Sequence, residues 1–224
     1  MLGQTITAHR LQGVYQHRGK LCTQNLAPGK QVYGEDLIRS GGKEYRLWDP
    51  AKSKLCAAIM KGLSQIGVKP GSLVLYLGAS TGTTVSHVSD IAGPQGFVFA
   101  LDSAPRMVRE LVLMTEQRPN IAPLLADAHL PEQYAPFVFA CDMVYQDVAQ
   151  RDQVPIFLKN VKRYLKKGGF ALLCVKARSI DVSKAPNQIY QDVWKQLEGQ
   201  LTIVDSKKLD PFQKDHMLFV CKRK

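Results

Sequence analysis

Apolar and polar positions alternate differently in the first fifty residues and in the rest of the chain. Up to residue 50, short apolar stretches are broken by turn residues such as Pro28-Gly29 and Gly41-Gly42, which predicts short strands and turns. From residue 51 the pattern lengthens. Residues 51–66 predict a helix, with Asp49 placed as its N-cap and Pro50 at its first position. After Lys69-Pro70-Gly71, the run SLVLYL at 72–77 is apolar beyond its first residue and bounded by turn signals, as a strand covered on both faces requires. Further strands are predicted at 97–101, 121–125, 143–145 and 170–176, and helices at 83–91, 106–117, 153–165 and 186–197. This alternation predicts an α/β fold, a mostly parallel sheet with helices on both faces. The end departs from it: strand-like runs at 201–208 and 217–222 are joined by the loop 209–216, predicting an antiparallel C-terminal hairpin that closes the sheet.

At 224 residues, 45% hydrophobic and 22% charged, the chain suits one sizeable α/β domain with a small appendage. No apolar run approaches the ~20 residues of a membrane span, and the N-terminal segment lacks the apolar core of a signal peptide. The expectation is a protein that stays inside the cell, without a membrane partner. Five scattered cysteines with no CxxC pair predict reduced thiols and no zinc site. The net charge of +11 is unevenly spread. Residues 1–61 carry 10 Lys/Arg against 4 Asp/Glu, residues 62–150 carry 4 against 8, and residues 151–224 carry 16 against 7. Basic flanks brought together by the fold would form a surface suited to phosphate backbones, and a generally solvated basic surface is the plainer alternative.

The strand at 72–77 runs into GASTGTT at 78–84 and then a predicted helix. Small residues there let the backbone turn sharply and approach a ligand, with a helix N-terminus facing it. Neither the GxGxxG of dinucleotide-binding folds nor the Gly-Lys-Ser/Thr of a phosphate-binding loop is present. Asp102 ends the next strand, 20 residues beyond Gly82, where a carboxylate can accept hydrogen bonds from both hydroxyls of an adenosine ribose. Asp127, followed by Ala128, comes after the third strand and could receive an adenine amino group. Such features at successive strand ends line the crevice where open α/β sheets bind ligands. The terminal hairpin is common among methyltransferases and uncommon among dehydrogenases.

Asp147 follows the fourth of these strands and Lys176 ends the fifth. Adjacent parallel strands would set the two side by side, and a lysine ending an apolar strand calls for a partner, for which Asp147 is the natural choice. A plain salt bridge at the sheet end is one reading. The other is catalytic: methyl transfer to a hydroxyl needs an oxygen aligned behind the methyl group and its proton removed during attack. Lys176, its pKa depressed by desolvation and a second cation, would orient the oxygen and take the proton. Asp147 would hold Lys176, Lys54 would be the second cation, and His216 could complete the set.

These residues resemble the fibrillarin family, especially its archaeal form, over essentially the whole chain. The resemblance is carried by LCTQNLAPG at 21–29 with VYGE at 32–35, YRLWDP at 45–50 with SKL at 53–55, and VLYLGA at 74–79 with GTT at 82–84. It continues through SHVSD at 86–90, RPNI at 118–121, LLADA at 124–128, VKARSID at 175–181, and DP at 210–211 with KDH at 214–216. It implies a small N-terminal β-rich subdomain over 1–50 on a class I (Rossmann-like) methyltransferase domain over 51–224. It implies S-adenosyl-L-methionine as cofactor, held by Gly78, Ala79, Ser80, Gly82, Thr83, Thr84, Asp102, Ser103, Asp127, Ala128, Asp147 and Gln150, and a Lys-Asp-Lys-His tetrad of Lys54, Asp147, Lys176 and His216. It implies 2′-O-methylation of rRNA or tRNA by a box C/D ribonucleoprotein. The partners would be a guide RNA and its target RNA, a Nop-domain scaffold protein, and a kink-turn-binding protein of ribosomal type.

Departures from the family pattern are Asp102-Ser103 for a Glu-aromatic pair, Gln146 for an apolar residue, and Lys52 for an arginine. The absent Gly/Arg-rich tail points to an archaeal source and hence the cytoplasm, with the nucleolus expected only of a eukaryotic chain. Three rivals remain: an NAD-dependent oxidoreductase, disfavoured by the missing GxGxxG; a non-catalytic ribonucleoprotein subunit; and a methyltransferase acting on a protein glutamine.

Overall fold

A computed structural model describes residues 5–224. The first five strands, β1 (Thr7–Ala8), β2 (Val14–His17), β3 (Lys20–Gln24), β4 (Leu37–Ser40) and β5 (Lys43–Leu47), form one antiparallel sheet in the order β1-β2-β3-β5-β4. Helix α1 (Lys54–Met60) then leads into a second sheet built from β6 (Leu73–Leu77), β7 (Phe97–Asp102), β8 (Ile121–Leu125), β9 (Cys141–Gln146), β10 (Leu165–Lys176), β11 (Thr202–Lys208) and β12 (His216–Lys222). Its order is β11-β12-β10-β9-β6-β7-β8. The five strands from β10 to β8 pair in parallel, and β12 inserts antiparallel between β10 and β11. The predicted hairpin is therefore present, with its second strand inside and its first at the edge.

The helices α2 (Thr83–Ala92), α3 (Pro105–Thr115), α4 (Gln153–Tyr164), α5 (Ala177–Ile180) and α6 (Pro186–Glu198) complete the chain. Val74, Tyr76, Met143, Tyr145, Leu172 and Cys174 point into one core, with α1 and α2; Leu75, Leu77, Val144, Leu173 and Val175 point into the other, with α4 and α6. Both faces of the central strands are covered, which is why β6 is apolar at every position. All five cysteines are buried and free. No helix among the described residues is long and apolar enough to cross a membrane.

The helix expected over 51–66 is shorter than its pattern. Ser53 is the N-cap, its side chain accepting from the Cys56 amide, and Gly62 beyond the last turn has φ of 81°. Asp49 instead accepts from the Ala51 amide in a turn. Asp49-Pro50 is a good start signal, but a serine three residues before a free amide is another, and the position buried against α2 has the serine. Short helix α5, directly after Lys176, has no counterpart in the expected elements.

Buried charges fasten the antiparallel sheet to α2. Arg46, fully buried on β5, binds Glu35 (2.6 Å), Asp90 (2.9 Å) and Ser86 (2.9 Å). Asp90 also accepts from Arg118 (2.6 Å), Thr23 (2.7 Å) and the Leu26 amide (3.1 Å). His87, stacked on Trp48 at 4.7 Å, meets Thr23 with Nδ1 and Tyr33 with Nε2, each at 2.8 Å. Burial, with Arg46 and Arg118 nearby, holds its pKa well below the usual value, so it is neutral. Every charge here has an opposite partner, which a buried ion requires.

Candidate active site

The parallel strands β6, β7, β8 and β9 end at one edge of the sheet, and a cleft of about 190 Å³ opens there. It is lined by residues from all four strand ends, among them Gly78, Ser80, Asp102, Asp127, Asp147 and Gln150. Backbone bonds set the floor: Gly78 and Ala79 amides both donate to Leu101 O at 2.9 Å, and the Asp147 amide donates to Leu77 O at 2.9 Å. Gly78 has φ of 82°, and a Cβ there would collide with the Asp147 carbonyl oxygen. Only glycine permits that approach.

Two backbone amides fix the Asp102 carboxylate. Its Oδ2 accepts from the Ser80 amide (2.8 Å) and its Oδ1 from the Ala104 amide (2.9 Å). Each carboxylate oxygen retains acceptor capacity, so the group can also take two ribose hydroxyls. Asp127 receives the His129 amide (2.9 Å) and ring Nδ1 (2.7 Å) on Oδ1. The hydrogen bond donated by the His129 backbone amide is the largest influence holding the Asp127 carboxyl below its ordinary pKa. His129 also meets Asp152 at 3.1 Å, and its bonds to the two acids raise its pKa, Asp127 first. His129, Val148 and Ile156 line the cleft without having been expected there. A histidine two residues after an aspartate carries no recognisable sequence signal, and the two apolar residues look like ordinary core.

Of the expected cofactor residues, Gly78, Ser80, Asp102, Ser103, Asp127, Ala128, Asp147 and Gln150 line the cleft, whereas Ala79, Gly82, Thr83 and Thr84 are not part of its lining. Ala79 is buried in the core, and Gly82, with φ of 94°, is the N-cap of α2. Thr84 is buried and donates to Ser53 Oγ at 3.0 Å.

The expected Lys176–Asp147 pair is not formed. Asp147 instead binds Lys54, with Nζ 2.8 Å from Oδ2. The two are 93 residues apart and meet because α1 packs against β12 in the same core as β6 and β9. Burial disfavours the Lys54 charge, but the Asp147 carboxylate outweighs it and leaves the lysine pKa raised. Lys176 is exposed, not desolvated as expected. Its backbone is well fixed, with the amide donating to Gln153 Oε1 at 3.2 Å. Gln146, the polar departure, is fully buried and donates to the Gln153 carbonyl at 2.6 Å, so it braces the same corner.

His216 lies opposite Lys176 in the β10–β12 register. Its Nδ1 donates to Lys214 O at 2.7 Å, which leaves Nε2 as the acceptor in the neutral ring. Burial is the main cause of its lowered pKa, and Lys54 and Lys176 lower it further against the pull of Asp147. All four expected tetrad members are thus electrostatic neighbours beside the cleft, in a different pairing.

The fibrillarin family model matches residues 6–224. A fibrillarin-like rRNA/tRNA 2′-O-methyltransferase of Thermococcus onnurineus is 48% identical over 223 residues, covering 97% of this chain and 99% of that protein. The solved structure of Aeropyrum pernix fibrillarin with natively bound S-adenosyl-L-methionine matches with a TM-score of 0.89 at 42% identity, covering 97% of each chain. A fibrillarin in complex with Nop5p also gives a TM-score of 0.89, at 36% identity, covering 97% of this chain and 100% of that one. Matched along nearly its whole length by sequence and by fold, this chain belongs to the fibrillarin family.

Proposed function

We propose that this chain transfers the methyl group of S-adenosyl-L-methionine to the ribose 2′-hydroxyl of rRNA or tRNA, as the catalytic subunit of a box C/D ribonucleoprotein. The observation that carries the reading is a cleft at the strand ends whose wall, Asp147, is also the partner of Lys54, with Lys176 and His216 beside it. The cofactor supplies a methyl group already activated for attack. The residues present fit it: Asp102 offers a pre-set carboxylate for the ribose, Asp127 accepts an amino group, and Gly78 leaves the backbone open to close approach. Ser103 in place of an aromatic residue gives up stacking on the adenine.

The protein's own part is positioning and proton handling. Lys54 and Asp147 form a fixed ion pair at the inner end of the site. Lys176, exposed and next to that pair, holds the 2′-oxygen in line and stabilises its developing negative charge. His216, neutral and with Nε2 free of the Lys214 carbonyl, takes the proton. A guide RNA selects the target nucleotide, a Nop-domain scaffold protein docks the enzyme, and a kink-turn-binding protein holds the guide. The fibrillarin–Nop5p complex supports the scaffold partner.

Replacing Lys176 by alanine tests the assignment. Calorimetric affinity for S-adenosylmethionine is expected to stay within about twofold while transfer to RNA falls by about 10²–10³. Equal turnover would remove Lys176 from the mechanism, and heat on titration with NAD in place of the methyl donor would favour an oxidoreductase.

The proton role of His216 has a pH signature. Its pKa lies below the ordinary 6.5, so the ring is neutral at pH 7 and gains a proton only as pH falls. Turnover between about pH 5 and 8 is expected to be flat near neutrality and to drop on the acid side. His216→Gln should lower turnover and erase that acid limb; a limb that survives would assign the proton to another group.

Thr84 connects the two halves of the site. Its hydroxyl, at the start of α2 behind the glycine turn, binds the Ser53 side chain that caps α1 immediately before Lys54. Thr84→Val keeps the volume and removes the link. Turnover is expected to fall about tenfold, with donor affinity little changed and Thr84→Ser restoring the rate, because small misplacements of catalytic groups are costly. Wild-type turnover in the valine variant would show that Lys54 is placed without that bond.

A further inference from the structure

The basic flanks do not simply converge on the cleft. A large share of the C-terminal flank's charge gathers at the opposite end of the sheet, where β9 and β10 begin and β12 ends. Leu165 faces Cys141 and Phe170 faces Lys222 in the strand register. The Gly168 amide donates to Arg223 O and the Arg223 amide to Gly169 O, each at 3.0 Å. These bonds bring the turn after α4 against the chain's C-terminus. Lys162 and Arg163 in the last turn of α4, together with Lys69, Lys167, Lys222 and Lys224, are all exposed there. Asp142 pairs with the neighbouring Lys166 at 2.7 Å, and none of those six cations has an ion-pair partner among the described residues.

Aromatic faces stand at the same end. Phe137 and Phe139, just before β9, are 61% and 67% exposed. Phe139 touches Phe99 edge-on at 6.0 Å and otherwise faces solvent. Burying large aromatic surface is favourable, so two such rings left open beside unpaired cations form an uncommon combination. Phosphates pair with the cations and unstacked bases cover the rings; a double helix would offer the phosphates but not the base faces. From Cys141 to Asp147 the chain runs along the six residues of β9, about 20 Å at ~3.3 Å per residue, which separates this surface from the cleft.

We infer that the end of the sheet opposite the cleft is a second RNA surface, which binds single-stranded RNA through the Lys162–Lys167–Lys222–Lys224 cations and the Phe137–Phe139 rings. It rests on the charge and exposure at that end, not on the reading of the cleft. Its test is the binding of a fluorescein-labelled single-stranded RNA of about 12 nucleotides to the intact chain, followed by anisotropy at several salt concentrations. The variant K162Q/K167Q/K222Q/K224Q is expected to bind about tenfold more weakly or worse, and the slope of log affinity against log salt should become shallower by about 2–3, at ~0.7 per phosphate contact. Phe139→Ala should weaken binding about fivefold with the slope unchanged, as loss of one stacking contact does. Melting temperature and affinity for the methyl donor should match wild type in both variants. Wild-type affinity and slope in both would overturn the inference. So would retained RNA binding with loss of the Nop-domain scaffold, which would assign the surface to a protein.

Discussion

Asp147→Asn is expected to lower methyl transfer by about 10³-fold, within the range spanned by losing electrostatic and proton-handling groups. Asparagine keeps the shape and removes the charge. In the wild-type protein the Asp147 carboxylate is what outweighs burial and keeps Lys54 charged. Without it the lysine sits with a quarter of its side chain exposed and no counter-ion, so its pKa falls and its position loosens. His216 changes with it, because Asp147 supports its protonation while the two lysines oppose it. Single-turnover transfer of labelled methyl to RNA is the measurement. Because the two groups act as a unit, the double variant Lys54→Ala/Asp147→Asn should be little worse than the worse single one. Full additivity would mean that they contribute independently, contrary to the 2.8 Å pairing.

Asp90→Ala is expected to destabilise the fold by about 3–5 kcal/mol, the usual cost of stranding a buried charge. Arg46 and Arg118, both essentially inaccessible to solvent, share this one carboxylate. The loss also strips acceptors from Thr23 and the Leu26 amide. For a chain of this size that corresponds to a melting temperature lower by about 6–20 °C. Because Asp90 lies on α2 while Arg46 and Thr23 lie on the antiparallel sheet, the unfolding transition should also broaden as the two sheets lose their link. Scanning calorimetry reads both effects, and an unshifted, equally sharp transition would show that the network contributes little.

How legible these features were in the sequence follows from where each signal resides. The parallel strands were readable because a strand covered on both faces must be apolar throughout, and LVLYL at 73–77 is. The C-terminal hairpin was readable from two strand-like runs with no helical pattern between them. That Asp102 and Asp127 line the cleft was readable because strand ends are where an open sheet forms its crevice. The pairing of Asp147 was not, since adjacency of β9 and β10 favoured Lys176, while the true partner arrives from α1. Only the packing of that helix into the core beside β12 decides between two lysines of the same chemistry. Arg46 and Arg118 were hidden for a related reason: a buried arginine reads as a surface residue until its partners are known. His129 had nothing to mark it. The cap at Ser53 was missed because Asp49-Pro50 satisfies the same rules four residues earlier.

Guided methyl transfer is tested most directly by reconstitution of this chain with a box C/D guide RNA, a Nop-domain scaffold protein and a kink-turn-binding protein, followed by mapping of labelled methyl on a complementary target RNA. One 2′-O-methylated ribose is expected at the guide-specified nucleotide, lost when Asp147→Asn replaces the wild-type chain. Label recovered on protein glutamine, or an unmethylated target in a fully assembled particle, would contradict it.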